Sequence, residues 1–75
     1  MVNLTNTLKL RALMLEKGFT QGQLAKLLEI SEQSLNYKIN NKREFKASEI
    51  KTLVNLLHIP MEEVDRIFFA ADVDL

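Results

Sequence analysis

The sequence predicts a small all-α domain of five helices. Three observations carry this. The 75 residues are 47% apolar, yet include only 2 Gly and 1 Pro, a composition that suits packed helices better than a β-sandwich or a disordered chain. The apolar residues recur at helical spacing and never settle into a strand alternation. Residues that start and stop helices punctuate the chain at regular intervals. A chain of this length makes one domain with a modest core, here residues 1–75, with about 1–5 as an N-terminal arm and about 70–75 as a loose acidic tail.

The first helix is expected over about residues 6–17. Leu10, Leu13, Met14 and Lys17 follow the i, i+3, i+4, i+7 spacing, the lysine stem closing the stripe. Gly18 follows, where a left-handed residue ends a helix. Thr20 starts the second helix, and Gln23 three residues on completes a capping box. Leu24, Leu27 and Leu28 are its apolar face, with small Ala25 between them. Ser31 caps a third helix that ends near Ile39 or Asn40. Only two or three residues separate these two helices, so they must cross steeply. NNKREFK reads as a loop, with Asn41 suited to the left-handed region. The fourth helix runs from Ala47 or Ser48 to Leu57 on the stripe Ile50, Leu53, Val54 and Leu57. Pro60 sits at the first turn of the fifth, where its missing N–H costs nothing. Met61, Val64, Ile67 and Phe68 are its apolar contacts. Phe69 cannot share that face, so the Phe68–Phe69 pair either folds over the small core or makes a contact between subunits.

Several functional classes drop out. There is no cysteine, so neither a disulfide framework nor a cysteine zinc site is available. No apolar run approaches the ~20 residues that span a bilayer, and the N-terminus lacks the apolar segment of a signal peptide. A cytoplasmic protein without membrane contact is the expectation. The one histidine, His58, has no ligand or catalytic partner grouped near it, and no serine has a base beside it. No enzyme activity, metal or cofactor is therefore expected.

The net charge of zero hides an asymmetry. Residues 1–51 carry nine basic against five acidic groups, a balance of +4, and residues 52–75 carry one against five, a balance of −4. A basic body is the footprint of a polyanion partner; an ordinary mixed surface is the alternative.

The third helix sharpens that choice. With Leu35 and Ile39 facing the core, Gln33, Tyr37 and Asn40 fall on the opposite face, flanked by Asn36. A helix face that only meets water usually carries Glu and Lys. Amides bond bidentately to adenine N6 and N7 in the major groove, a glutamate accepts from cytosine N4, and a tyrosine offers a ring and a hydroxyl. A solvated face that happens to lack charge is the alternative.

The window from Gln21 to Asn40 resembles the helix-turn-helix of the lambda-repressor and Cro-like, xenobiotic-response-element-type family. The resemblance runs through EKGFTQGQLAKLLEIS, the loop NNKREF and the later LLHIP. In that family the second and third helices form the motif, a small residue such as Ala25 sits where they approach closest, and a glutamine such as Gln21 meets a phosphate at the helix N-terminus. Two positions depart from the pattern: Glu29 stands where the family has a turn glycine, and Lys38 where it often has an apolar residue.

The resemblance implies a sequence-specific double-stranded DNA-binding transcriptional regulator, a small repressor of the phage or mobile-element type with no separate effector domain. Such proteins read bases with the N-terminal part of the recognition helix, here Glu32, Gln33, Asn36 and Tyr37. Gln21, Ser34, Lys38, Lys42, Arg43 and Lys46 are the expected DNA-backbone contacts. A homodimer on a palindromic operator is implied as well. The other class open to this sequence is an antitoxin-like or adaptor protein that binds a protein partner through its acidic C-terminal end.

Overall fold

The computed structural model describes residues 4–70. The fold is all-α: α1 Thr7–Lys17, α2 Gln21–Leu28, α3 Glu32–Ile39, α4 Ala47–Leu57 and α5 Met61–Phe68, with no strand among the described residues. The calls on the first residues of the arm and on the acidic tail at 71–75 lie outside them.

The first three helices begin on side-chain caps local to them. The Asn6 side chain accepts from the Lys9 N–H at 3.2 Å and opens α1, and Gly18 closes it at φ 78°. Thr20 and Gln23 make both halves of the capping box on α2. Ser31 accepts from the Ser34 N–H at 3.0 Å at the head of α3. Each of these bonds satisfies a backbone donor that the first helical turn leaves orphaned. Pro60 stands one position earlier than expected, as the residue preceding Met61.

The link between α2 and α3 is Glu29, Ile30 and Ser31. Glu29 takes the left-handed conformation, φ 59° and ψ 39°, which costs a non-glycine residue about 1–2 kcal/mol. The Glu29 N–H returns to the Lys26 carbonyl at 3.1 Å, and that of Ile30 to the Ala25 carbonyl at 3.0 Å. The helix end is thus satisfied, and the chain turns into α3 within three residues.

One core joins all five helices. Leu10, Leu24, Leu35, Ile39, Leu53, Leu57 and Ile67 are each less than 2% exposed, and each such burial contributes about 1.5–3 kcal/mol. Ala25 is buried in α2. Three stripe residues do not pack as the spacing predicts. Lys17 is exposed in the last turn of α1, Leu27 stays half exposed, and Met61 is 80% exposed. All three lie at or near a helix end.

Phe68 settles inward. It is buried and meets Phe45 edge-on with ring centroids 5.7 Å apart, so it serves the core and is not available to a subunit contact. Phe69 remains partly exposed.

The segment before α1 is held between the loop after α3 and the end of α5. Asn41, at φ 64°, accepts from the Thr5 N–H at 2.7 Å and donates to the Thr5 carbonyl at 2.9 Å. The Thr7 hydroxyl donates to the Ile39 carbonyl at 2.6 Å. From the other side the Asn6 N–H reaches the Ile67 carbonyl at 2.7 Å, and the Ala70 N–H reaches that of Leu4 at 3.0 Å.

Candidate nucleic-acid interface

The polar face of α3 and the loop that follows form one connected surface. Its centre is Tyr37. The expected position opposite Leu35 leaves Tyr37 fully outside, but the structure half-buries it, because the loop folds back over the ring. The Lys42 and Arg43 N–H groups both reach the Tyr37 carbonyl, at 2.8 and 3.3 Å. This return places Lys42 Nζ 5.6 Å and Arg43 Cζ 5.0 Å from the ring centroid. A cation over an aromatic face is attracted by the ring quadrupole, about 0.5–1 kcal/mol at an exposed site. The two cations are therefore positioned beside the helix and not left at the end of a free loop.

Side chains extend the surface in both directions. Gln33 Nε2 donates to the Tyr37 hydroxyl at 3.0 Å, one turn towards the helix N-terminus. Arg43 Nη1 donates to Ser34 Oγ at 3.4 Å. Asn40 Nδ2 donates to the Asn36 carbonyl at 2.9 Å. Glu32 and Gln33 are exposed, and Ser34 and Asn36 are half-buried on the same helix. At the head of α3, Gln21 Nε2 donates to the Glu32 carbonyl at 3.4 Å. The start of α2 is thereby brought against the start of α3. A Cβ at Gly22 would make ordinary van der Waals contact with the Glu32 carboxylate, at 3.5 Å.

The structure therefore brings together Gln21, Glu32, Gln33, Ser34, Asn36, Tyr37, Lys42 and Arg43. Lys46 is exposed at the end of the same loop, just before α4.

Lys38 corrects the expected backbone-contact set. Its side chain is 8% exposed and points into the protein, where Nζ lies 2.7 and 2.6 Å from the two carboxylate oxygens of Glu49. It cannot reach a phosphate while that pair holds. Glu49 also accepts from the Lys46 N–H at 2.8 Å. Burial pushes the Glu49 carboxyl up, but the Lys38 hydrogen bond, the Lys46 N–H and the charges of both lysines outweigh it and leave the carboxyl below its ordinary value. The departure at position 38 is thus a buried ion pair that joins α3 to the start of α4. Ile39 packs beside it in the core.

Arg11 is the residue that sequence reasoning passed over. Its Nη2 lies 3.5 Å from Asn40 Oδ1, so a third cation borders the face from α1. No local pattern signals this, because it depends on how α1 packs across the end of α3. Among the described residues there is no group of three or more His, Cys, Asp or Glu side chains that could hold a metal. No described helix is long and apolar enough to cross a membrane.

A family model described as "Protein of unknown function (DUF739)" matches residues 6–71. The chain belongs to this family. The DUF739 match opens at Asn6, the cap of α1, and takes in all five helices and the whole α3 surface. Comparison with curated proteins and with solved structures finds no match.

Proposed function

We propose that the chain is a sequence-specific double-stranded DNA-binding transcriptional regulator of the phage or mobile-element repressor type. In this proposal α2 and α3 are the helix-turn-helix of a lambda-repressor-like domain, and α3 enters the major groove. The observation that carries it is the Tyr37 cluster: an uncharged amide-and-phenol face with Lys42 and Arg43 held over its ring and Arg43 tied to Ser34. Solvation alone gives no reason to fix two cations beside such a face. A groove floor of base edges between two rails of phosphate does.

The roles follow from chemistry and position. Gln33 and Asn36 present amides to base edges, with adenine N6 and N7 the matching pair. Glu32, at the head of the helix, accepts from cytosine N4. Tyr37 offers its ring edge to a thymine methyl and its hydroxyl to a base or phosphate. Lys42, Arg43 and Lys46 meet one phosphate rail, and Gln21 and Ser34 meet phosphates from the helix starts. Lys38 instead fixes α3 against α4. The protein acts by occupying an operator and excluding polymerase, and a palindromic operator would take two copies.

Fluorescence anisotropy with duplex DNA at rising salt tests this. Affinity is expected to fall steeply, because each phosphate contact releases counterion. Arg43→Ala and Lys42→Ala should each reduce the log–log slope by about 0.9, and the paired replacement Lys38→Met with Glu49→Leu, which leaves no buried charge unpaired, should leave it unchanged. A slope indifferent to Lys42 and Arg43 would remove the loop from the interface.

A further inference from the structure

Helix α1 is apolar on two sides. Leu10 and Met14 are buried in the core. On the outer side Leu8, Ala12 and Leu15 recur at i, i+4 and i+7, with Leu8 71% and Leu15 83% exposed. A surface helix normally turns charge to water on that side. An apolar stripe that its own domain leaves uncovered marks an interaction site.

The stripe borders a depression of about 340 Å³ between α1 and the start of α5, to which Ala12 contributes one wall and Leu13, Ile59 and Ile67 much of the rest. Knobs and an apolar hollow thus lie side by side on one patch. A two-fold interface needs that combination, since the same surface must serve as both halves.

The charges beside the stripe point to the same occupant. Lys9 and Glu16 both line the depression, one near each end of α1. Lys9 is loosely engaged with Glu63 at 3.7 Å, and Glu16 has no ion-pair partner among the described residues. When two copies of α1 run antiparallel along the stripe, Leu8 of each meets Leu15 of the other and small Ala12 lies near the axis. Lys9 of each copy then faces Glu16 of the other. A patch carrying both signs in this order complements itself better than it complements a strongly acidic or basic partner. Arg11, on the flank nearest α3, is directed to Asn40, so this pairing keeps both α3 faces on one side of the dimer.

We infer that the Leu8–Ala12–Leu15 face of α1 is a homodimer interface, with a second copy of this chain as its occupant and Lys9–Glu16 pairs closing its edge. Sedimentation velocity of the full chain over a concentration series, without DNA, tests it independently of the DNA-binding proposal. The expected result is a reversible monomer–dimer equilibrium. Leu15→Glu should leave only monomer at an unchanged far-ultraviolet circular dichroism spectrum, since the side chain is exposed. Lys9→Glu should weaken the dimer, and adding Glu16→Lys to it should restore association. A wild-type chain that stays monomeric at every concentration overturns the inference, whether the face is then taken by another protein or by none. So does a dimer that survives Leu15→Glu, or a charge exchange that fails to rescue Lys9→Glu.

Discussion

Lys38 Nζ lies within 2.7 Å of both carboxylate oxygens of Glu49, with both side chains more than nine-tenths buried. The pair ties α3 to the first turn of α4, and the second bond of Glu49, from the Lys46 N–H, fixes the end of the loop that carries Lys42 and Arg43. Burying two charges is costly, and the attraction between them repays it only when both are present.

Breaking the pair from one side is therefore expected to cost far more than replacing it. Lys38→Met or Glu49→Leu alone should destabilise by about 3–5 kcal/mol, because a buried charge is left unpaired. The double change Lys38→Met with Glu49→Leu should lie near the parent or above it by about 1–4 kcal/mol. Urea unfolding of the four proteins measures the cycle. Additive losses in the double variant would show that the pair acts only through packing.

The same carboxylate sets part of the acid response. Its folded value lies below its ordinary one, so the unfolded chain binds the proton more readily. The stability it contributes is complete above the unfolded value, about 4.3, and is lost as pH falls through the folded value. Chemical denaturation at a series of pH values should show this loss in the parent and a shallower acid limb in Glu49→Gln. Equal limbs would mean that other carboxylates carry the acid transition.

Much of this fold is legible in the sequence because it rests on short-range chemistry. Thr20 with Gln23, and Ser31 ahead of α3, identify helix starts within three residues of themselves, and Asn41 and Glu29 sit where the chain must turn. The exposed amides of α3 follow from the helical period. Long-range geometry is not legible in this way. The burial of Lys38 depends on a carboxylate 11 residues away, and a lone lysine on an otherwise polar helix reads as a surface charge. The Tyr37 cluster depends on the path of the loop, and Arg11 on the packing of α1. Met61 and Leu27 keep the helical period yet stay exposed.

Two left-handed residues should answer glycine in opposite directions. Glu29 has φ 59° and Asn41 φ 64°. At Glu29, whose side chain is exposed, glycine removes strain of about 1–2 kcal/mol against an entropic cost of roughly 0.5–1 kcal/mol. Glu29→Gly should therefore raise stability slightly. Asn41→Gly should lower it by about 1–3 kcal/mol, since both bonds to Thr5 are lost and buried backbone groups go unpaired. Thermal unfolding of the two variants checks the signs, and a stabilised Asn41→Gly would deny the clip a role.

In the proposed function the face of α3 reads DNA sequence. Selection of binding sites from random duplex DNA tests it most directly. One enriched motif is expected, with a Gln33→Ala protein that binds it with a loss of about 1–3 kcal/mol and tolerates changes at a single position. A pool that remains random after repeated rounds, or a Gln33→Ala protein with the parent's affinity and the parent's motif, would contradict it.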